Sequence, residues 1–214
     1  MTRLLIPILL AGTLTLPAAS LAEDLAERSR RIMRQSAVTY TTSFLWPCSA
    51  STWTRVTENP LMLGQLWQAF GYAPSYDVHV IKGILHVEDP TGLKGKVHTF
   101  QGDAGERIYV CDGEVDHWAV PLFNAGEAVF VLKGEKVADG VRGDLSVYVR
   151  STSLLGNAVL ELGESILLKH IENRISLNLQ DATRIVEAIE LAPETVLGKL
   201  SGHQAKLFES LFLP

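Results

Sequence analysis

Between Ala37 and Trp46 the chain alternates: Val38, Tyr40, Thr42, Phe44 and Trp46 share one parity, while Thr39, Thr41 and Ser43 take the other. A period of two rich in β-branched and aromatic residues predicts a half-buried strand, which Pro47 closes. A polar helical lead over 23–35 feeds it. Further runs over 76–82, 84–89, 94–101, 107–118, 127–134 and 141–150 are separated by turn-forming sequences such as Asp89-Pro90-Thr91-Gly92 and Ala138-Asp139-Gly140. Such punctuation suits antiparallel hairpins. From Leu154 the period changes to steps of three and four. Leu155, Val159, Leu162 and Ile166, then Ile171, Ile175, Leu179, Ala182, Val186 and Ile189, form an apolar stripe among charged neighbours. That is a long amphipathic helix, which Pro193 ends. A last short helix is expected to turn Leu207, Phe208, Leu211 and Phe212 to one side, for packing or, alternatively, for contact with a membrane surface.

Between the first strand and the hairpins lies "PCSASTWTRVTENPLMLGQLW", residues 47–67. Ser49 or Ser51 can cap a helix by accepting from its first free amides. Asn59 followed by Pro60 is a second start signal. Two short helices are therefore expected, with Trp53, Val56, Leu63, Leu66 and Trp67 turned toward the sheet.

The order of strand, two short helices, antiparallel strands and one long C-terminal helix resembles the START-like (SRPBCC) superfamily with its helix-grip fold. Pro47, Ser49-Ala50-Ser51, Trp53, Asn59-Pro60 and Leu66-Trp67 stand where members of that superfamily place a turn, an aromatic residue, a DP or NP break and a second tryptophan. The resemblance spans roughly residues 37–190. It implies an α+β fold in which a curved antiparallel sheet of about seven strands grips the long helix, around a cavity for a lipid or another hydrophobic molecule. The inner parity would line it with Tyr40, Phe44, Trp46, Val97, Phe130, Leu132, Leu145 and Val147, facing Leu155, Val159 and Leu162, with Trp53 and Trp67 walling one end. The same residues would serve equally to fill a solid core.

The N-terminus qualifies the picture. "MTRLLIPILLAGTLTLPAASLAED" has one basic residue, an apolar run and small residues up to Ala22, the layout of a secretory signal peptide cleaved after Ala22. The run is too interrupted for a lasting membrane span, which needs about 20 apolar residues. The expected organisation is a signal over 1–22, a START-like domain over 23–192 and a helical extension over 193–214, exported most simply to a bacterial periplasm. The net charge of −5 becomes −6 once Arg3 leaves with the signal. An acidic chain lacks the clustered cations that nucleic-acid binding requires. The mixed cluster "ERSRRIMR" over 27–34 reads as a solvated helix face.

Candidate chemistry is sparse. The chain has two cysteines, Cys48 and Cys111, which would either pair in an oxidising compartment or stay as thiols. Neither Cys48 nor Ser49 sits in a known nucleophile signature. His79, His86, His98 and His117 lack the short spacing of a metal site, and the parity of His79 and His86 turns them outward, so no metal or cofactor is expected. The segment "CDGEVDHWAVP" carries Asp112, Glu114, Asp116 and His117. Asp116 and His117 are the acid/base candidates if the protein is a cyclase- or hydrolase-like enzyme. Against that stands Asp112-Gly113 as a plain hairpin turn with exposed carboxylates. The functional readings are a carrier or binder of hydrophobic molecules, an enzyme in the same cavity, or a non-catalytic module contacting an envelope protein.

Overall fold

The computed structural model describes residues 18–213, except 91, 103–104, 116–124, 154–155, 159 and 161–163. Helix α1 (Ala18–Arg34) leads into β1 (Val38–Trp46), followed by α2 (Ala50–Glu58) and α3 (Pro60–Ala69). Six strands come next: β2 (Asp77–Ile81), β3 (Ile84–Glu88), β4 (Leu93–Gln101), β5 (Arg107–Val115), β6 (Ala125–Val137) and β7 (Gly140–Ser151). The long helix α4 (Glu164–Leu191) and two short ones, α5 (Pro193–Leu197) and α6 (Gly202–Phe212), complete the chain.

The strands form one antiparallel sheet in the order β1-β7-β6-β5-β4-β3-β2. Every strand thus pairs with its sequence neighbour except β1, which joins β7 from Val38 opposite Val149 to Trp46 opposite Val141. β2 and β3 meet through Lys82-Gly83, whose φ values of 51° and 79° give the left-handed two-residue turn that matches sheet twist. The exposed Lys82 bears that conformation beside a glycine that adopts it freely.

One face of the sheet is covered by α2, α3 and α4, which is the helix-grip α+β arrangement expected from the sequence. Alternation along β1 gives the predicted result: Val38 and Trp46 are buried, Tyr40, Thr42 and Phe44 half-buried, and the residues between them exposed. Ser49 is the N-cap of α2 and accepts from the Thr52 amide at 3.2 Å, while its hydroxyl donates to Glu190 of α4 at 2.7 Å. Pro60 occupies the first turn of α3, as predicted. Ala182, Ile185, Val186 and Ile189 of α4 are buried with Trp46, Met62, Leu66 and Trp67 in one cluster. Val196, Leu200 and Phe208 of the C-terminal segment join that cluster, Phe208 with 0 % exposure.

The opposite face departs from expectation. α1 lies across it, burying Ile32 at 0 % exposure against Ile108, Val110, Val129 and Val131. "ERSRRIMR" is accordingly only in part a solvated face. Arg28 is half-buried and donates to Asp112 and to Glu127 (Nη2 to Oε1, 2.7 Å). Arg150 pairs with the other oxygen of Glu127. Arg30 and Arg34 do remain outside, bonded to the exposed Glu27. A run of charge disguised a helix that uses its apolar side to cover the middle of the second face of the sheet.

β5 corrects a second reading. Asp112-Gly113 is no turn, since β5 continues through both to Val115, with Asp112 opposite Glu127 and Gly113 opposite Gly126. A side-chain partner decides the matter: Asp112 turns to Arg28 on the helix-covered outer face, so the dipeptide serves strand pairing in place of a hairpin.

A candidate hydrophobic ligand cavity

The concave face does not close solidly on α4. Two adjoining spaces of about 350 Å³ each share Tyr76, Val87, Val97, Cys111 and Phe130 in their walls. The size and apolar lining suit a small ligand, for which cavities of roughly 300–1,000 Å³ are usual.

The first space has a floor almost without side chains. Gly95 on β4 stands opposite Gly113 on β5, which stands opposite Gly126 on β6. All three carry the inner parity, and a Cβ placed on Gly95 would approach nothing closer than the Asp112 carbonyl oxygen at 3.7 Å. Three strands thus present bare backbone where neighbouring rows present Val97, Cys111 and Ala128. Asp89 and Tyr76 bound this end. The Asp89 side chain, 3 % exposed, pairs with Arg174 of α4 at 2.9 Å, and the Arg174 guanidinium lies 5.9 Å from the Tyr76 ring centre. The Tyr76 hydroxyl and the Asn178 amide are bonded at 3.0 Å. Burial raises the Tyr76 pKa above its ordinary value, so the phenol stays a neutral donor and acceptor. Two polar links therefore hold α4 over this end of the sheet.

The second space lies toward α2 and α3. Phe44, Trp46, Trp67, Leu132 and Leu145 line it from the sheet and α3, with Ile175, Leu179 and Ala182 from α4. Tyr109 also lines it and donates to the Thr57 carbonyl of α2 at 2.6 Å. Burial shifts this phenol upward. Outside the cavity, a polar crevice between β1 and α4 contains Tyr40 with Thr42, Ser176 and Gln180.

Of the residues expected to line a cavity, Phe44, Trp46, Trp67, Val97, Phe130, Leu132 and Leu145 do so. Tyr40 lies in the crevice instead, beside Asn173 and Ser176 of α4. Val147 is buried on the inner face. Trp53 backs the wall without lining it, since its ring packs on Phe44 at 6.1 Å and on Trp46 at 5.0 Å between centres. Gly134 of β6 makes that position available, because a Cβ there would enter the Trp53 ring. Leu155, Val159, Leu162, Asp116 and His117 lie outside the described residues. Sequence reading missed Tyr76, Asp89, Asn178 and the glycine row. The glycines carried a signal, since in strands Gly marks close approach or unfilled space, but only register shows that they align.

Cys48 and Cys111 are free thiols, and the register explains why they are not a bridge. Cys111 shares a row with Ala128, Val149 and Val38. Cys48 follows the opposite end of β1. Between β1 and β5 lie β7 and β6, about three strand spacings or ~14 Å, whereas bridged Cα atoms are about 5.5–6 Å apart. Burial raises both thiol pKa values, Cys48 to about 11 and Cys111 to about 12, so neither is a ready nucleophile near neutrality. His79 and His86 stack at 5.4 Å between ring centres on the β2–β3 hairpin, His79 exposed as its parity predicted. Among the described residues no group of three or more His, Cys, Asp or Glu side chains converges as a metal site, and no helix is long and apolar enough to cross a membrane.

Among solved structures, the chain is similar to a conserved protein from Geobacillus kaustophilus, with a TM-score of 0.53 and 10% sequence identity over 71% of this chain and 97% of that one. A protein from Arthrobacter aurescens is matched at a TM-score of 0.47 and 12% identity, over 71% and 87% of the two chains. Ara h 8.0201 is matched at 0.42 and 14%, over 75% and 97%. Likeness at such identity concerns the fold alone. No family model and no curated protein matches the sequence.

Proposed function

We propose that this protein binds a lipid or another hydrophobic small molecule between its sheet and α4, and that it does so after export to the periplasm. The observation that carries the reading is the pair of adjoining apolar spaces, each about 350 Å³, left open where a solid core would be filled. Apolar walls around space of this size gain free energy when a hydrophobic molecule replaces water against them. The glycine floor and the Asp89–Arg174 link support the reading, since they keep open and brace a region that one larger side chain would fill. The signal-like N-terminus carries the cellular part of the proposal.

Delipidated protein should bind a fluorescent fatty-acid analogue or a hydrophobic dye at one saturable site, and Gly95→Leu should weaken that binding at least tenfold while leaving the thermal transition intact. Protein purified from its own host should release a co-purifying lipid in native mass spectrometry. Failure to bind any hydrophobic probe would sink the proposal.

A further inference from the structure

On β1, Tyr40 and Thr42 share the inner parity, and on α4, Asn173, Ser176 and Gln180 recur at steps of three and four, so each set projects from one side of its element. Both sets border the polar crevice between β1 and α4, a space of about 410 Å³. The two β1 residues are half-buried and the three on α4 exposed, so this wall is open to solvent. Ser43 and Thr183 border it too, but their hydroxyls are engaged: Ser43 donates to Asp144 at 2.6 Å and Thr183 to the Leu179 carbonyl at 2.7 Å. Among the described residues, no protein group bonds the Tyr40 or Thr42 hydroxyl or the Asn173 amide, and the Gln180 amide reaches only Ser176, at 3.5 Å. These hydroxyls and amides offer donors and acceptors alike. Among the described residues, no Lys, Arg or His borders the crevice, and Glu172 is its one charged side chain.

We propose that this crevice binds a neutral, hydroxylated group of the class of a glycerol or a sugar. A phosphate or carboxylate would find no counter-charge there and would meet Glu172, whereas a cation would find a single carboxylate. A hydroxyl both donates and accepts, so a group with several of them answers a wall of mixed donors and acceptors. Such a group also reproduces the hydrogen bonds that solvent makes to exposed hydroxyls and amides, so little is lost on displacing it. The Tyr40 and Phe44 rings add apolar area for the carbon skeleton. Free polyols and sugars share this chemistry with the uncharged heads of glycerolipids and glycolipids. Phe44 and Leu179 border both the crevice and the second cavity space, so a head bound here stands next to the apolar space proposed for a ligand. The crevice holds such a group whether or not that space is filled.

In ¹⁵N-labelled protein, the side-chain amide resonances of Asn173 and Gln180 report directly on the crevice. Glycerol and methyl β-D-glucoside present the free heads, while 1-O-octylglycerol and octyl β-D-glucoside, kept below their micelle concentrations, present the same heads on an alkyl chain. At least one head should move both amides saturably. Ser176→Ala and Gln180→Ala, both at exposed positions of α4, should each weaken its binding about two- to tenfold, the worth of one neutral hydrogen bond, with an unchanged Tm. An alkyl compound that binds about tenfold tighter than its free head, or more, assigns the site to the head of a lipid whose tail enters the cavity; a smaller gain assigns it to a free polyol or sugar. Glycerol 3-phosphate and glucose 6-phosphate, the same heads carrying an anion, should bind at least about threefold more weakly than their neutral counterparts, and binding as tight as theirs would overturn the neutral class. If no head moves the amides, or if the variants leave the affinities unchanged, the inference is overturned, while a hydrophobic dye still tests the cavity on its own.

Discussion

Single residues divide into those whose role follows from local chemistry and those whose role depends on distant partners. Ser49 belongs to the first kind: a serine after a strand-ending proline, ahead of a helix, caps it wherever the helix packs. Cys48 and Cys111 belong to the second. Their count permitted a bridge, and only the register between β1 and β5 forbids it. Two free thiols with raised pKa values yield a direct expectation. Ellman's reagent at pH 7.5 should label neither thiol rapidly in the folded protein and both after denaturation without reductant. Labelling that requires prior reduction would restore the bridge. Gly134 is a further case, because the Trp53 ring occupies the space of its Cβ. Gly134→Val should cost roughly 1–3 kcal/mol through overpacking, read as a lowered denaturant midpoint with an unchanged slope. Nothing in the sequence around Gly134 announces Trp53, which is distant along the chain.

Among the elements, α1 differs most from its sequence reading. Its polar residues outnumber its apolar ones, yet Leu25 and Ile32 are buried and Ser29 is sealed with them. Truncation of Ile32 should therefore act like a core substitution: Ile32→Ala is expected to destabilise by about 2–5 kcal/mol, where a solvated helix would lose almost nothing. The charge network beneath α1 has a pH signature. Burial pushes the Glu127 carboxyl upward, but hydrogen bonds from Arg28 and Arg150 outweigh it and hold the group below its ordinary value of 4.5. A carboxylate whose folded pKa lies below its unfolded one stabilises the fold fully above the unfolded value and loses that contribution as pH falls through the folded value. The docking of α1 should thus weaken below about pH 4.5, seen as faster amide exchange over residues 25–34 ahead of global acid unfolding. Glu127→Gln should flatten that dependence. The strands and the long helix, by contrast, were legible from sequence, because period two and period 3.6 report burial on one face directly. Helix α1 was not, since two buried positions among many charges leave too short a stripe to read.

At the scale of the whole molecule, the sheet, α3 and α4 enclose space, and its occupation should appear in the stability of the entire fold. A ligand at a hundred times its Kd adds about 2.7 kcal/mol, so a tight hydrophobic ligand should raise the Tm by about 5–10 °C in a chain of this size. Gly95→Leu should cut the rise to about half or less, and a ligand-independent Tm in wild type would argue that the spaces stay empty. The order of the main elements was determined by the sequence alone: alternation, turn residues, caps and the change of period specified seven strands, two short helices and a long helix in order, because each rests on interactions within a few residues. Much of the aromatic and aliphatic lining followed from the same parity, with Phe44, Trp46, Phe130 and Leu145 falling on the inner face. What the tertiary structure alone decided is which of those residues surround space and which fill it. Tyr40 and Val147 have the right parity and Trp53 stands on the expected helix, but none of the three lines the cavity, while Asp89, Tyr76 and Asn178 belong to the site through contacts with α4. A cavity is the difference between the volume a curved sheet encloses and the volume its side chains occupy. That difference depends on curvature, register and the height at which a helix settles, and none of these is encoded at a single position along the chain.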